Sequence, residues 1–178
     1  MNIRGFLLRS LDWLLDDKAR KNLRPYVAQS LLATFAIFVI LVFLDVIDHT
    51  ALIATLGSSV FLVFARPSSY SAHARPLVGG YIVGLGVGAL FYYFSQFPVW
   101  LSLPLSQQTI YVVYGALAVG CAIFLMTVTD TEHPPAAGAS LGLVLNTWNY
   151  KTLAFIMAAV LTLAFLRRML KKHMVDLV

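Results

Sequence analysis

Between Tyr26 and Leu166 the sequence is six apolar stretches of unequal length, separated by short polar loops. They run from Tyr26 to Leu44, Ala51 to Ala65, Leu77 to Phe94, Thr109 to Val128, Ala136 to Trp148 and Thr152 to Leu166. A helix rising 1.5 Å per residue needs about 20 residues to cross a bilayer core. The first, third and fourth stretches have that length, the second and fifth fall short, and the sixth runs into a basic tail. This pattern predicts an all-α membrane protein with six transmembrane segments, the two short ones in corresponding positions. Composition agrees, since 60% of the 178 residues are hydrophobic and 12% charged. A mean hydropathy of +0.80 lies outside the range of soluble domains. The expected organisation is an amphipathic helix on the cytoplasmic face over residues 1–24, one transmembrane domain over 25–170, and a basic cytoplasmic tail over 171–178.

A net charge of +5 raises the question of a nucleic-acid partner, and the placement of the charges answers it. Arg4, Arg9, Lys18, Arg20, Lys21 and Arg24 precede the first stretch, and Arg167, Arg168, Lys171 and Lys172 follow the last. This is the positive-inside pattern of a multi-pass inner (plasma) membrane protein with both termini cytoplasmic, and it excludes a nucleic-acid face. The lipid bilayer is the expected surrounding partner. At the start, Ile3, Leu7, Leu11, Leu14 and Leu15 recur at helical spacing with Trp13 at the stripe's edge, as in a helix lying in the interface. Arg9 and Asp12 interrupt any signal-peptide core. The lone Cys121, mid-segment, is expected to pack.

Segment lengths repeat as long, short, long in halves at about 25–95 and 108–170. A shift of 84 residues lays Asp48-His49 on Glu132-His133. If all six segments cross, the inner side carries Arg66 and Arg75 with the terminal clusters, and the outer side only Lys151; re-entrant short segments would move Arg66 and Arg75 outside. The first count fits the charge rule better. Three segments per half is an odd number, so the expected arrangement is a 3+3 inverted repeat. Gly80, Gly84 and Gly88, four apart, form a face that another helix can approach closely, within one subunit or between copies of a homo-oligomer.

The chemistry-bearing residues lie at the mouths of the short segments. Pro134 and Pro135 suit the first turn of a helix, where a missing N–H costs nothing. A helix starting inside the membrane offers first-turn N–H groups and a positive dipole end to an anion. His133 just before it is placed to donate to that anion or exchange a proton with it, with Glu132 setting its tautomer. Alternatively, His133 only satisfies backbone carbonyls. The candidate site is therefore Glu132, His133, Pro134, Pro135, Gly138 and Ser140 on one wall, and His49, Gly57, Ser58 and Ser59 on the other. Arg66 and Arg75 stand at the inner mouth, either attracting anions or anchoring the topology. His73 is expected in solvent.

Enzymatic signatures such as HExxH, CxxC pairs or a phosphate loop do not occur in the sequence. The expectation is a non-enzyme with no cofactor and no metal. Two blocks, EHPPAAGASLGLVL and LGSSVFLVFARPSSYSAHARPLVGGYIVG, resemble the HPP family of integral membrane proteins over roughly residues 25–170. Many members carry an Ala-Gln-Pro-Arg run where this chain has Ser71 to Pro76. The resemblance implies a small membrane protein with four or more spans. Because plastid and cyanobacterial members are associated with nitrite transport, it also implies a small inorganic anion as partner. The expected function is a transporter or channel for a nitrite-like anion; the alternative is a non-transporting assembly or regulatory subunit using its glycine faces.

Overall fold

The computed structural model describes residues 17–43, 50–98 and 106–178. Most of the expected interfacial helix, with Asp48, His49 and Trp100, lies outside these residues. A single turn, α1 (Asp17–Lys21), precedes six helices: α2 (Arg24–Phe43), α3 (Thr50–Ala65), α4 (Ala74–Ser95), α5 (Gln107–Val128), α6 (Pro134–Leu145) and α7 (Tyr150–Leu170). Among the described residues there is no strand. The helices start and stop close to the limits of the apolar stretches, because polar caps sit there. The Ser106 hydroxyl accepts the Thr109 N–H at 3.1 Å, and the Asn149 side chain accepts the Thr152 N–H at 3.0 Å.

Four helices, α2, α4, α5 and α7, are long and apolar enough to cross a membrane. The other two are not: α3 spans about 24 Å and α6 about 18 Å at the α-helical rise, less than a hydrocarbon core of about 30 Å. Six full-length spans are therefore not what the structure contains. Four long helices surround two short ones.

All six still alternate in direction. One face of the bundle gathers the start of α2, the α3–α4 and α5–α6 loops and the end of α7. Tyr26 Oη donates to Leu177 O at 3.1 Å, Leu177 N donates to Ala65 O at 2.8 Å, and Ser68 N donates to Asp176 Oδ1 at 2.9 Å. Arg75 Nη2 donates to Thr129 O at 3.1 Å. The opposite face holds the end of α4 and the start of α7, where Trp148 packs at a tilt on Tyr92 and edge-on to Tyr93 with centroids 5.2 and 5.8 Å apart. Arg24, Arg66, Arg75, Arg168, Lys171 and Lys172 lie on the first face and Lys151 on the second.

Two side chains in the long helices pin this basic face. Gln29 is buried and uses its amide as a two-way clamp on Val175, accepting its N–H at 3.0 Å and donating to its carbonyl at 2.9 Å. Arg167, one of the basic residues that follow the last apolar stretch, is buried and donates from Nε to Pro67 O at 3.0 Å. A buried guanidinium without such an acceptor would be strongly unfavourable.

The short α6 sits at the centre, packed most extensively on α4 and also against α5 and α3. Eight of its residues are buried, mostly Ala, Gly, Leu and Val. Small side chains let the backbones approach, and α4 answers with its glycines. A Cβ on Gly80 would fall 2.6 Å from His133 Cβ, on Gly84 2.2 Å from Ala136 O, and on Gly88 2.7 Å from Ser140 O. Gly80, Gly84 and Gly88 thus form a groove filled from within the subunit by α6 and the residue before it. A contact between copies would need another face. The outward surfaces are apolar, with Leu31, Phe35 and Phe38 on α2 and Val112, Phe124 and Val128 on α5 exposed, as a lipid-facing bundle requires. Cys121 lies on that outward surface rather than in the packing.

Candidate functional site

The start of α6 is held in place by how α5 ends. Asp130 adopts a left-handed backbone (φ 55°), which aspartate tolerates better than most residues. Thr131 N then donates to Met126 O at 2.9 Å and Asp130 N to Thr127 O at 3.3 Å, the paired bonds of a Schellman motif. The Asp130 carboxylate pairs with Arg75 at 3.2 Å and accepts from Tyr70 Oη at 2.6 Å. The α5–α6 loop is thereby fastened to the α3–α4 loop, and the chain turns sharply into the bundle.

Three residues later it delivers His133, fully buried, as the N-cap of α6. Its Nδ1 lies 2.8 Å from Ser71 O and its Nε2 2.8 Å from Ser59 Oγ. A carbonyl only accepts, so Nδ1 carries the proton and Nε2 of the neutral ring accepts from Ser59. Tyr81 Oη lies 2.9 Å from Ser59 Oγ and 3.5 Å from Thr55 Oγ1, and the Tyr81 ring stands 5.5 Å from the imidazole, centroid to centroid. Ser59 Oγ is also 3.0 Å from Thr55 O. One buried network therefore ties α6 to α3, α4 and the α3–α4 loop. The Ser71 carbonyl, not Glu132, sets the tautomer; Glu132 is exposed.

The helix start itself is not an anion site. Pro134 and Pro135 occupy its first two positions and have no N–H, and the third N–H, of Ala136, donates to His133 O at 2.9 Å. No donor in these first three positions is left for a ligand; only the dipole end remains. Open space lies instead on either side of it. A groove of about 590 Å³ between α3 and α6 is lined by Thr55, Ser58, Phe61, Pro134, Pro135 and Gly138 among others. A second, of about 470 Å³, is lined by Met126, Thr127, Glu132, His133 and Pro134 with Ile123 and Ala137. Pro134 borders both, and the network runs from His133 on one to Thr55 on the other.

A family model described as "HPP, transmembrane region" matches residues 18–172. The chain belongs to the HPP family. Comparison with curated proteins and with solved structures found no match.

Within this HPP bundle the expected residues divide. Ser59 bonds His133, while Ser58, Pro134, Pro135 and Gly138 line the groove between α3 and α6, where a Cβ on Gly138 would stand 3.1 Å from Thr55 Cγ2. Gly57 is on the far side of α3, against Ile37. Ser140 is buried against α4 at Gly88 and donates to Ala137 O at 2.7 Å, so it faces away from both grooves. Arg66 is exposed on the basic face, and Arg75 is engaged with Asp130. His73, expected in solvent, is half-buried and closes its own turn on Ser69 O at 2.8 Å. Sequence reading missed Thr55, Tyr81 and Ser71. A tyrosine hydroxyl inside the glycine-rich stretch of this HPP chain was the one available signal, because a phenol in an apolar segment needs a partner.

Proposed function

We propose that this protein carries a small monovalent anion, nitrite or one of its kind, across the membrane, along the grooves that flank the junction of α3 and α6. The observation that carries the reading is the meeting of the two short helices. Among the described residues, the fully buried hydroxyl and imidazole groups Ser59, Tyr81 and His133 meet there, beside open space bordered by Thr55 and Ser58. Buried polar groups at membrane depth are expensive and mark solute paths, and short helices inside a bundle are where transporters place them. The anionic character is supported by the positive end of α6 and by the basic face at which it starts, and by the family's association with nitrite.

The alternating directions and the repeated long, short, long order support an inverted pair of halves, α2–α4 and α5–α7. The charge asymmetry supports a cytoplasmic basic face, with α2 starting and α7 ending on that side of an inner (plasma) membrane. Neither a cofactor nor catalysis enters this reading. The test is nitrite flux into proteoliposomes. Ser58→Trp fills the α3–α6 groove from an exposed position and is expected to cut flux at least about tenfold while the protein stays folded. Full flux through a folded Ser58→Trp protein would move the path elsewhere, and no wild-type flux above protein-free vesicles would refute transport.

A further inference from the structure

Resting on that reading, we infer that His133 is the protein's proton-binding site, taking up a proton together with the anion so that the two cross as a pair. The geometry behind this is a hydrogen-bond network already complete for both charge states of the ring. With His133 neutral, Ser59 Oγ–H donates to Nε2 and Tyr81 Oη–H donates to Ser59 Oγ. When a proton from water adds to the Nε2 lone pair, Nε2–H donates to Ser59 Oγ across the same 2.8 Å, and the serine hydrogen rotates to Thr55 O, 3.0 Å away. Tyr81 keeps its bond to Ser59 at 2.9 Å, and Nδ1–H keeps Ser71 O at 2.8 Å. No heavy atom moves and no polar atom is left unpaired; the only change is one positive charge on the imidazole. Release reverses the same rotation.

A histidine that only braces the fold needs one of these states. Here the acceptor for the second, Thr55 O, is already at hydrogen-bond distance.

The surroundings make that charge depend on an anion. The titratable groups near the ring are few. On α4, Tyr81 is in contact and Arg75 is neutralised by Asp130; on the α3–α4 loop, Tyr70 donates to Asp130 and His73 bonds Ser69 O. On its own loop stand Asp130 and the exposed Glu132. Neither α3 nor α6 has a titratable residue, and α5 brings Met126 and Thr127 to the shared groove. Glu132 is thus the nearest anionic side chain not committed to an ion pair with Arg75. An anion entering the groove that His133 borders adds a second negative charge and raises the ring's proton affinity. By linkage the proton raises the anion's affinity by the same factor. Neither is bound strongly alone, and a pair that travels only together is a coupled transporter rather than a channel.

The test is a pH titration of the ring nitrogens by NMR, on full-length ¹⁵N-histidine protein in detergent, with and without nitrite. One histidine signal, absent from His133→Gln, is expected to start as the Nδ1–H tautomer and to titrate reversibly with near-UV circular dichroism retained. Nitrite is expected to move that titration upwards by about one pH unit. A titration that nitrite leaves in place, or protonation that occurs only as the fold is lost, would overturn the inference. Vesicle flux separates this failure from that of transport itself. Nitrite carried at a rate flat between about pH 5 and 7 keeps the transport reading and removes the proton from it. Absent flux with the nitrite-linked shift intact refutes transport and supports the paired site.

Discussion

Gly84→Ala is expected to leave little folded protein, whereas Gly86→Ala, half a turn away on the same helix, is expected to be neutral or slightly stabilising. The two positions differ in what one methyl group would meet. At Gly84 it would lie 2.2 Å from the carbonyl oxygen and 3.0 Å from the carbonyl carbon of Ala136; at Gly86 nothing lies within 4 Å. The obstacle at Gly84 is backbone in the first turn of α6, which is fixed by Pro134, Pro135 and the His133 network, so no rotamer change relieves it. The helices must separate, and the contacts of Gly80 and Gly88 open with them. Overpacking of this kind costs about 3 kcal/mol or more. At the outward Gly86, alanine's helix propensity contributes up to about 1 kcal/mol in the other direction. Yield of monodisperse protein and the thermal midpoint read both variants. Comparable stability for the two would mean that α4 and α6 do not pack through this groove.

The same contrast shows what could be read from the sequence. The apolar stretches located all six helices to within a few residues, because each is bounded by loops whose polar groups cannot enter hydrocarbon. The shortness of the fifth and the role of Pro134 and Pro135 as a helix start were legible for the same reason. The periodicity of Gly80, Gly84 and Gly88 announced a close helix contact but not its partner, since a glycine face looks the same whichever backbone fills it. Gln29 and Arg167 escaped notice because their partners, Val175 and Pro67, lie 146 and 100 residues away. The expected anion site at the start of α6 failed on a point the sequence did contain. The two prolines that mark the helix start also remove two of the N–H groups an anion would use, and counting donors rather than recognising a helix start would have shown it.

His133→Ala is expected to destabilise the folded protein by roughly 3 kcal/mol, and the reason lies in what it leaves behind. Removing the ring strands the Ser71 carbonyl and turns the Ser59 hydroxyl back onto Thr55 O. A stranded buried polar group costs about 1–3 kcal/mol, and the vacated ring volume adds to it. Ser59→Ala removes the central member instead, leaving Nε2 unpaired and the Tyr81 hydroxyl with only its long 3.5 Å bond to Thr55 Oγ1, and is expected to cost about 2 kcal/mol. If the residues act as one network, the double variant costs less than the two singles together, by about 1 kcal/mol or more. Denaturation of the three variants in detergent provides that cycle. Strict additivity would mean that His133 and Ser59 stabilise the bundle independently. The junction of α3 and α6 would then be held by the glycine groove alone, and the histidine's bonds would be incidental to the fold.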